Sequence, residues 1–159
     1  MRGAATGTWF RKIRRRSRKQ FVTAASSFPK SKRLLRHSDF QRVYQAGRRQ
    51  FTGNMTVFFL RRTVSGAGTT AGDSMRVGFT VSKALGGSVE RNRLKRRMRE
   101  AVRISWPLVN APVDVVFHPR KSVLELPFAQ VTSEVARGIQ LALQRAREAQ
   151  TQRPATQVE

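Results

Sequence analysis

Cysteine is absent from the 159 residues. Its absence excludes disulfides, thiolate metal sites and a cysteine nucleophile, and it fits a reducing compartment, so a cytoplasmic location is expected. Acidic residues are scarce, 9 Asp and Glu against 32 Lys and Arg, and they are scattered along the chain. A protein-borne two-metal nuclease centre needs clustered carboxylates, so none is expected and no metal ligand is assigned. The two histidines, His37 and His118, lie in different segments. No HExxH, no GxSxG and no phosphate loop ending in Lys-Ser/Thr occurs, so no catalytic residue is assigned either. No apolar run approaches the roughly 18 residues a transmembrane helix requires.

What remains is positive charge on a chain able to fold. The formal charge is +23, and 39% of the residues are hydrophobic. Such an excess repels itself unless a polyanion neutralises it, which points first to nucleic acid and only distantly to an anionic membrane. The charge is uneven. Residues 1–50 hold 15 basic residues and one acid, residues 51–110 hold 11 and 3, and residues 111–159 hold 6 and 5.

The pattern divides the chain into a basic arm over 1–31, expected to be disordered, a folded domain over 32–148, and a frayed tail over 149–159. The arm is Arg-rich, Ser-containing and free of acids, a composition it shares with organelle transit peptides. Ordered structure is expected to begin near Leu34. Ser38 and Gln41 read as a capping box for a short helix over 38–46, with Phe40, Val43 and Tyr44 on one face and Gly47 as its stop. Met55–Arg62 reads as a strand, 64–74 as a hairpin tip and Met75–Ser82 as the second strand. Ser88 is expected to cap a helix running to Ser105. Residues 113–118 form a third strand, and Pro127 opens a last helix striped by Phe128, Val131, Val135, Ile139 and Ala142. Gly138 within that stripe costs about 1 kcal/mol relative to Ala, so packing must hold the helix. The order α-β-β-α-β-α suggests a two-layer α+β sandwich.

The segment Val89–Ser105 carries the strongest signal. On a helical wheel Leu94, Met98, Ala101 and Val102 form a narrow apolar face, and Asn92, Arg96, Arg99 and Arg103 a stripe opposite it. Arg93 and Arg97 flank one side of the stripe and Lys95 the other. Six basic residues between Arg91 and Arg99 repel one another, and Glu90 and Glu100 offset this only in part. The arrangement suits phosphate, because the planar guanidinium binds it bidentately. A structural RNA-binding protein, such as a ribosomal component or RNA chaperone, fits this charge as well. A DNA reader fits worse: its helix usually follows a helix-turn-helix, whereas this one lies between two strands, so no DNA and no membrane partner is expected.

RNRLKRRMRE, the preceding VGFTVSK, and LLRHSDFQRVYQAG upstream resemble, in order and spacing, the bacterial ribonuclease P protein subunit family over roughly 32–148. The long arm and a slightly long first hairpin loop are departures outside the motif. The resemblance implies a ribosomal-protein-like α+β fold with a left-handed β-α-β crossover. It implies a subunit of an endoribonuclease ribonucleoprotein that removes the 5′ leader of precursor tRNA, with the catalytic centre and its Mg²⁺ on the RNA. It places Arg91, Asn92, Arg93, Lys95, Arg96 and Arg99, with Arg103 at the end of the same stripe, against the catalytic RNA. It places Phe40, Tyr44, Phe58 and Lys83 along a cleft for the leader. Taken as residues alone, Phe40 and Tyr44 fit core packing of a short helix better than a cleft, and one residue can do both.

Overall fold

Met55, Val57 and Phe59 alternate with Thr56, Phe58 and Leu60, and the alternation becomes a strand with apolar partners on both faces. The computed structural model describes residues 28–63, 74–107 and 111–151. The hairpin tip expected over 64–74 lies outside them except for Ser74, as do residues 1–27 of the arm and 152–159 of the tail.

The elements are α1 (His37–Ala46), β1 (Arg48–Phe51), β2 (Met55–Arg61), β3 (Arg76–Phe79), α2 (Ser88–Ile104), β4 (Val113–Pro119) and α3 (Phe128–Thr151). They form one sheet in the order β1-β2-β4-β3. β1 and β4 both run antiparallel to β2, with Gln50 and Phe117 opposite Val57, and β3 runs parallel to β4, with Val77 opposite Val115. The parallel pair is joined through α2. The expected α+β class and element order are present, with three helices and one strand more than the sequence pattern showed.

On one face of the sheet α3 packs against β2 and β4 and α2 packs against α3, and both helices close the main core around Met55, Val57, Val115 and Phe117. α2 contributes Leu94, Met98, Ala101 and Val102, all buried, as its narrow apolar face requires. α3 contributes Val131, Val135, Ile139 and Ala142, all buried, while Phe128 stays partly exposed. Gly138 is where α3 crosses the sheet: a Cβ there would sit 2.7 Å from Phe117 Cε1 and 3.1 Å from Val57 Cγ2. The short α1 covers the other face, where Leu34, Val43 and Val116 form a small second core with Phe40, Phe58 and Leu60 at its margin.

Several local expectations are corrected. Residues 28–31, assigned to the arm, belong to the fold. Phe28 is buried in the main core against Trp106 (ring centroids 5.4 Å), and Lys30–Lys32 form a one-turn 3₁₀ helix. A single aromatic ahead of Pro29 leaves no periodicity to read. The Ser38–Gln41 capping box does not form: Arg36 occupies the N-cap of α1 without a side-chain cap, and Ser38 lies inside the first turn. Ser88 is likewise the first helical residue of α2, behind an N-cap Gly87 that makes no side-chain bond. Pro127 is the residue before α3, and its carbonyl accepts from Gln130 N–H (3.0 Å). β2 and β3 are not a hairpin, because β4 lies between them. β3 is also shorter than expected, ending at Phe79.

Candidate nucleic-acid interface

α2 presents the basic residues as a solvent-facing rail. Asn92, Arg93, Arg96 and Arg103 are exposed, and Arg91, Lys95, Arg97 and Arg99 are half-buried. Three of the helix's guanidiniums already make hydrogen bonds, Arg91 only a local one from Nε to the Gly87 carbonyl (3.3 Å). Arg97 Nη2 donates to the carbonyl of Leu126 (2.6 Å), in the turn before α3. Arg103 Nε donates to Glu100 Oε2 (3.0 Å), and this bond holds the exposed Glu100 carboxyl below its ordinary pKa. Among the described residues, Arg91, Asn92, Arg93, Lys95, Arg96 and Arg99 make no ion pair. Burial, then the nearby charges of Arg33 and Arg96, lower the Arg99 pKa. Positive potential is therefore concentrated around Arg99, where a phosphate would relieve it.

Arg33 is a residue the sequence pattern did not single out. It is bridged to Val77 beside β3, and its Nη2 donates to the Phe28 carbonyl. Lys32 lies over the Trp106 ring (4.5 Å). The turn at 30–33 thus adds Lys32 and Arg33 to the surface near the C-terminal half of α2. The only hint in the sequence was the basic run itself.

The three expected cleft aromatics do come together, on the opposite face of the sheet. Tyr44 meets Phe58 edge-to-face (centroids 4.8 Å), and its hydroxyl donates to Thr80 Oγ1 (2.6 Å). Phe40 lies over Gly78, where a Cβ would come within 2.6 Å of Phe40 Cζ, so only glycine leaves room for that ring. Phe40 and Phe58 are half-buried and Tyr44 is 38% exposed, so all three pack and yet keep open surface. Lys83 is exposed in the one-turn helix Lys83–Leu85, anchored by buried Leu85 and by Ser82 Oγ accepting from Ala84 N–H (3.2 Å). It follows Thr80, the partner of Tyr44, by three residues and leads directly into α2, so the two surfaces meet at this turn.

A buried ion-pair network fixes α1, and hence the cleft wall. Asp114, 1% exposed on β4, accepts from Arg76 Nε (2.8 Å) and Nη2 (2.7 Å), with Arg62 Nε at 3.1 Å. Arg76 Nη1 also reaches Asp39 on α1 (3.3 Å), and Asp39 pairs with Arg42 (2.7 Å). The hydrogen bonds that Arg76 donates to Asp114 raise the Arg76 pKa, whereas burial lowers that of Arg62. Both carboxylates are thus committed to arginines. Among the described residues no group of three His, Cys, Asp or Glu side chains is placed to hold a metal.

Residues 28–143 match the family model described as Ribonuclease P. The chain is 38% identical over 106 residues to the ribonuclease P protein component of Symbiobacterium thermophilum, covering 67% of this chain and 86% of that one. It is 40% identical over 104 residues to that of Chloroflexus aurantiacus, covering 65% and 71%. Solved structures of the RNase P proteins of Staphylococcus aureus and Thermotoga maritima are similar, with TM-scores of 0.58 and 0.56 at 25% and 26% identity. They cover 70% and 66% of this chain and 94% and 92% of theirs.

Proposed function

The chain belongs to the ribonuclease P protein family, protein subunits of an endoribonuclease ribonucleoprotein of tRNA processing, and on that premise we propose how its two surfaces divide the work. The α2 rail (Arg91, Asn92, Arg93, Lys95, Arg96 and Arg99) seats the protein on the ribonuclease P RNA. The cleft of Phe40, Tyr44 and Phe58, with Lys83 at its end, holds the single-stranded 5′ leader of precursor tRNA. The observation that carries this reading is the separation of chemistries. A row of basic side chains that make no ion pair among the described residues lies on one side of the sheet, and half-open aromatics lie on the other.

Guanidiniums bind the phosphates of a folded RNA, whose counterions are released. Aromatic rings stack on unpaired bases and accept any base, because every base has a π-face. Arg103, tied to Glu100, borders the rail. Among the described residues the buried carboxylates Asp39 and Asp114 are taken by arginines, so the reading assigns Mg²⁺ to the RNA partner. The protein's share is positioning. Holding the leader keeps the scissile phosphate in register, and the rail screens RNA–RNA repulsion. The cytoplasm, where tRNA precursors are made in bacteria, is the matching location.

The test is cleavage of precursor tRNA by the cognate RNA at low Mg²⁺, with and without the protein. Stimulation is expected, and cleavage that is indifferent to the protein refutes the reading.

A further inference from the structure

The sheet face that carries Phe58 continues beyond α1. α1 packs mainly on β2 and β4, and the edge strand β1 continues the same face outward. Arg49 lies opposite Phe58 and Phe51 opposite Thr56, so both β1 side chains share the cleft's face. The Phe51 ring is 54% exposed although two guanidiniums lie over it, Arg49 at 5.1 Å and Arg120 at 5.5 Å. Neither arginine pairs with a carboxylate among the described residues. Arg120 is held at this corner by its N–H, which donates to the Asn54 carbonyl (3.0 Å).

We propose that Phe51, with Arg49 and Arg120, is a second base-stacking platform for the leader, beyond the nucleotides held by Tyr44 and Phe58. The inference rests on the leader-binding reading above. The chemistry selects the ligand: a ring still 54% exposed takes a base, and the guanidiniums that lie over it turn to the flanking phosphates, a combination met by single-stranded RNA. The register sets the spacing. Phe51 and Phe58 occupy diagonal positions across adjacent antiparallel strands, about 7–8 Å apart at the backbone, a step that about one further nucleotide of extended strand can span. Thr56 and His118 lie side by side in the sheet next to Phe51, so the surface continues across β2 and β4 toward Thr80.

The experiment uses the holoenzyme assembled with the cognate RNA and a series of precursor tRNAs whose leaders grow one nucleotide at a time. Affinity is expected to rise in steps and then level off. Phe51→Ala should abolish the last step, about a tenfold loss, while leaving unchanged the shortest leaders and mature tRNA. Phe51→Trp should keep the step. Joint replacement Arg49→Ala and Arg120→Ala should flatten the salt dependence for long leaders alone. Phe51 is exposed on an edge strand, and an unchanged melting temperature verifies that its loss leaves the fold intact. Unaltered binding at every leader length overturns the proposal, and so does an equal loss for long leaders, short leaders and mature tRNA. If the wild-type holoenzyme shows no leader dependence at all, the leader-binding reading falls and this one falls with it. If leader dependence persists but Phe51→Ala does not shorten it, only the platform is refuted.

Discussion

Arg76 grips Asp114 at two points, Nε to Oδ1 at 2.8 Å and Nη2 to Oδ2 at 2.7 Å, and its remaining Nη1 reaches Asp39 on α1. One guanidinium thereby connects the parallel strands β3 and β4 to the helix that carries Phe40 and Tyr44. A fully buried carboxylate is costly to desolvate, and the return comes from geometry: α1 is fixed in register over the sheet.

Asp114→Ala should therefore be severe. It strands Arg62 and Arg76, both only 15–21% exposed, without their buried partner. Breaking a buried pair on one side costs about 3–5 kcal/mol. Urea denaturation should show the midpoint falling with little change in slope. A loss below about 1 kcal/mol, the range of a surface ion pair, would show that the network is hydrated and unimportant.

Gly138→Ala is expected to destabilise the fold although it improves helix propensity. The exchange gains about 1 kcal/mol locally. The new Cβ, however, lies 2.7 Å from Phe117 Cε1 in the main core, where overpacking costs about 1–3 kcal/mol. A net loss in thermal unfolding is the expected outcome, and a gain would mean that α3 can rise from the sheet without penalty.

These two sites mark what could be read from the residues and what could not. The apolar face of α2 was legible because Leu94, Met98, Ala101 and Val102 recur at the helical period and are buried accordingly. β1 was not: its sequence RRQF carries no alternation, and it becomes a strand because β2 offers it a backbone edge. The placement of β4 between β2 and β3 depends on pairing distant in sequence, which a glycine-rich connector disguised as a hairpin. Gly138 looked like a local cost because its reason, Phe117, lies on another element. In the candidate site the rail was legible as charge spacing. The contributions of Arg33, Phe51 and Arg120 were not, since each is brought in by tertiary contact.

The rail can be divided by mutation. Arg96→Ala with Arg99→Ala should weaken assembly with the catalytic RNA and lower the salt slope of binding by roughly one to two counterions. Arg97→Ala should act differently, because its guanidinium is bonded to the Leu126 carbonyl (2.6 Å). It should reduce stability by about 1–3 kcal/mol and leave the salt slope unchanged. Titrating binding against salt for both variants checks this. Identical slopes in the two would contradict the division.

Phe40 and Tyr44 give the sharpest test of the cleft. Phe40→Ala removes the ring over Gly78, and binding of leader-bearing substrate should fall by about 1–3 kcal/mol while mature tRNA is bound as before. Gly78→Ala should reproduce part of that defect with Phe40 intact, because a Cβ 2.6 Å from Phe40 Cζ forces the ring away. Tyr44→Phe separates stacking from hydrogen bonding. It keeps the ring against Phe58 and loses only the bond to Thr80 Oγ1, so affinity for the leader should change by no more than about 1 kcal/mol. Tyr44→Ala, which removes the ring itself, should cost as much as Phe40→Ala. If Phe40→Ala weakens mature tRNA and precursor alike, the ring belongs to the small core around Leu34, Val43 and Val116 and not to a substrate cleft.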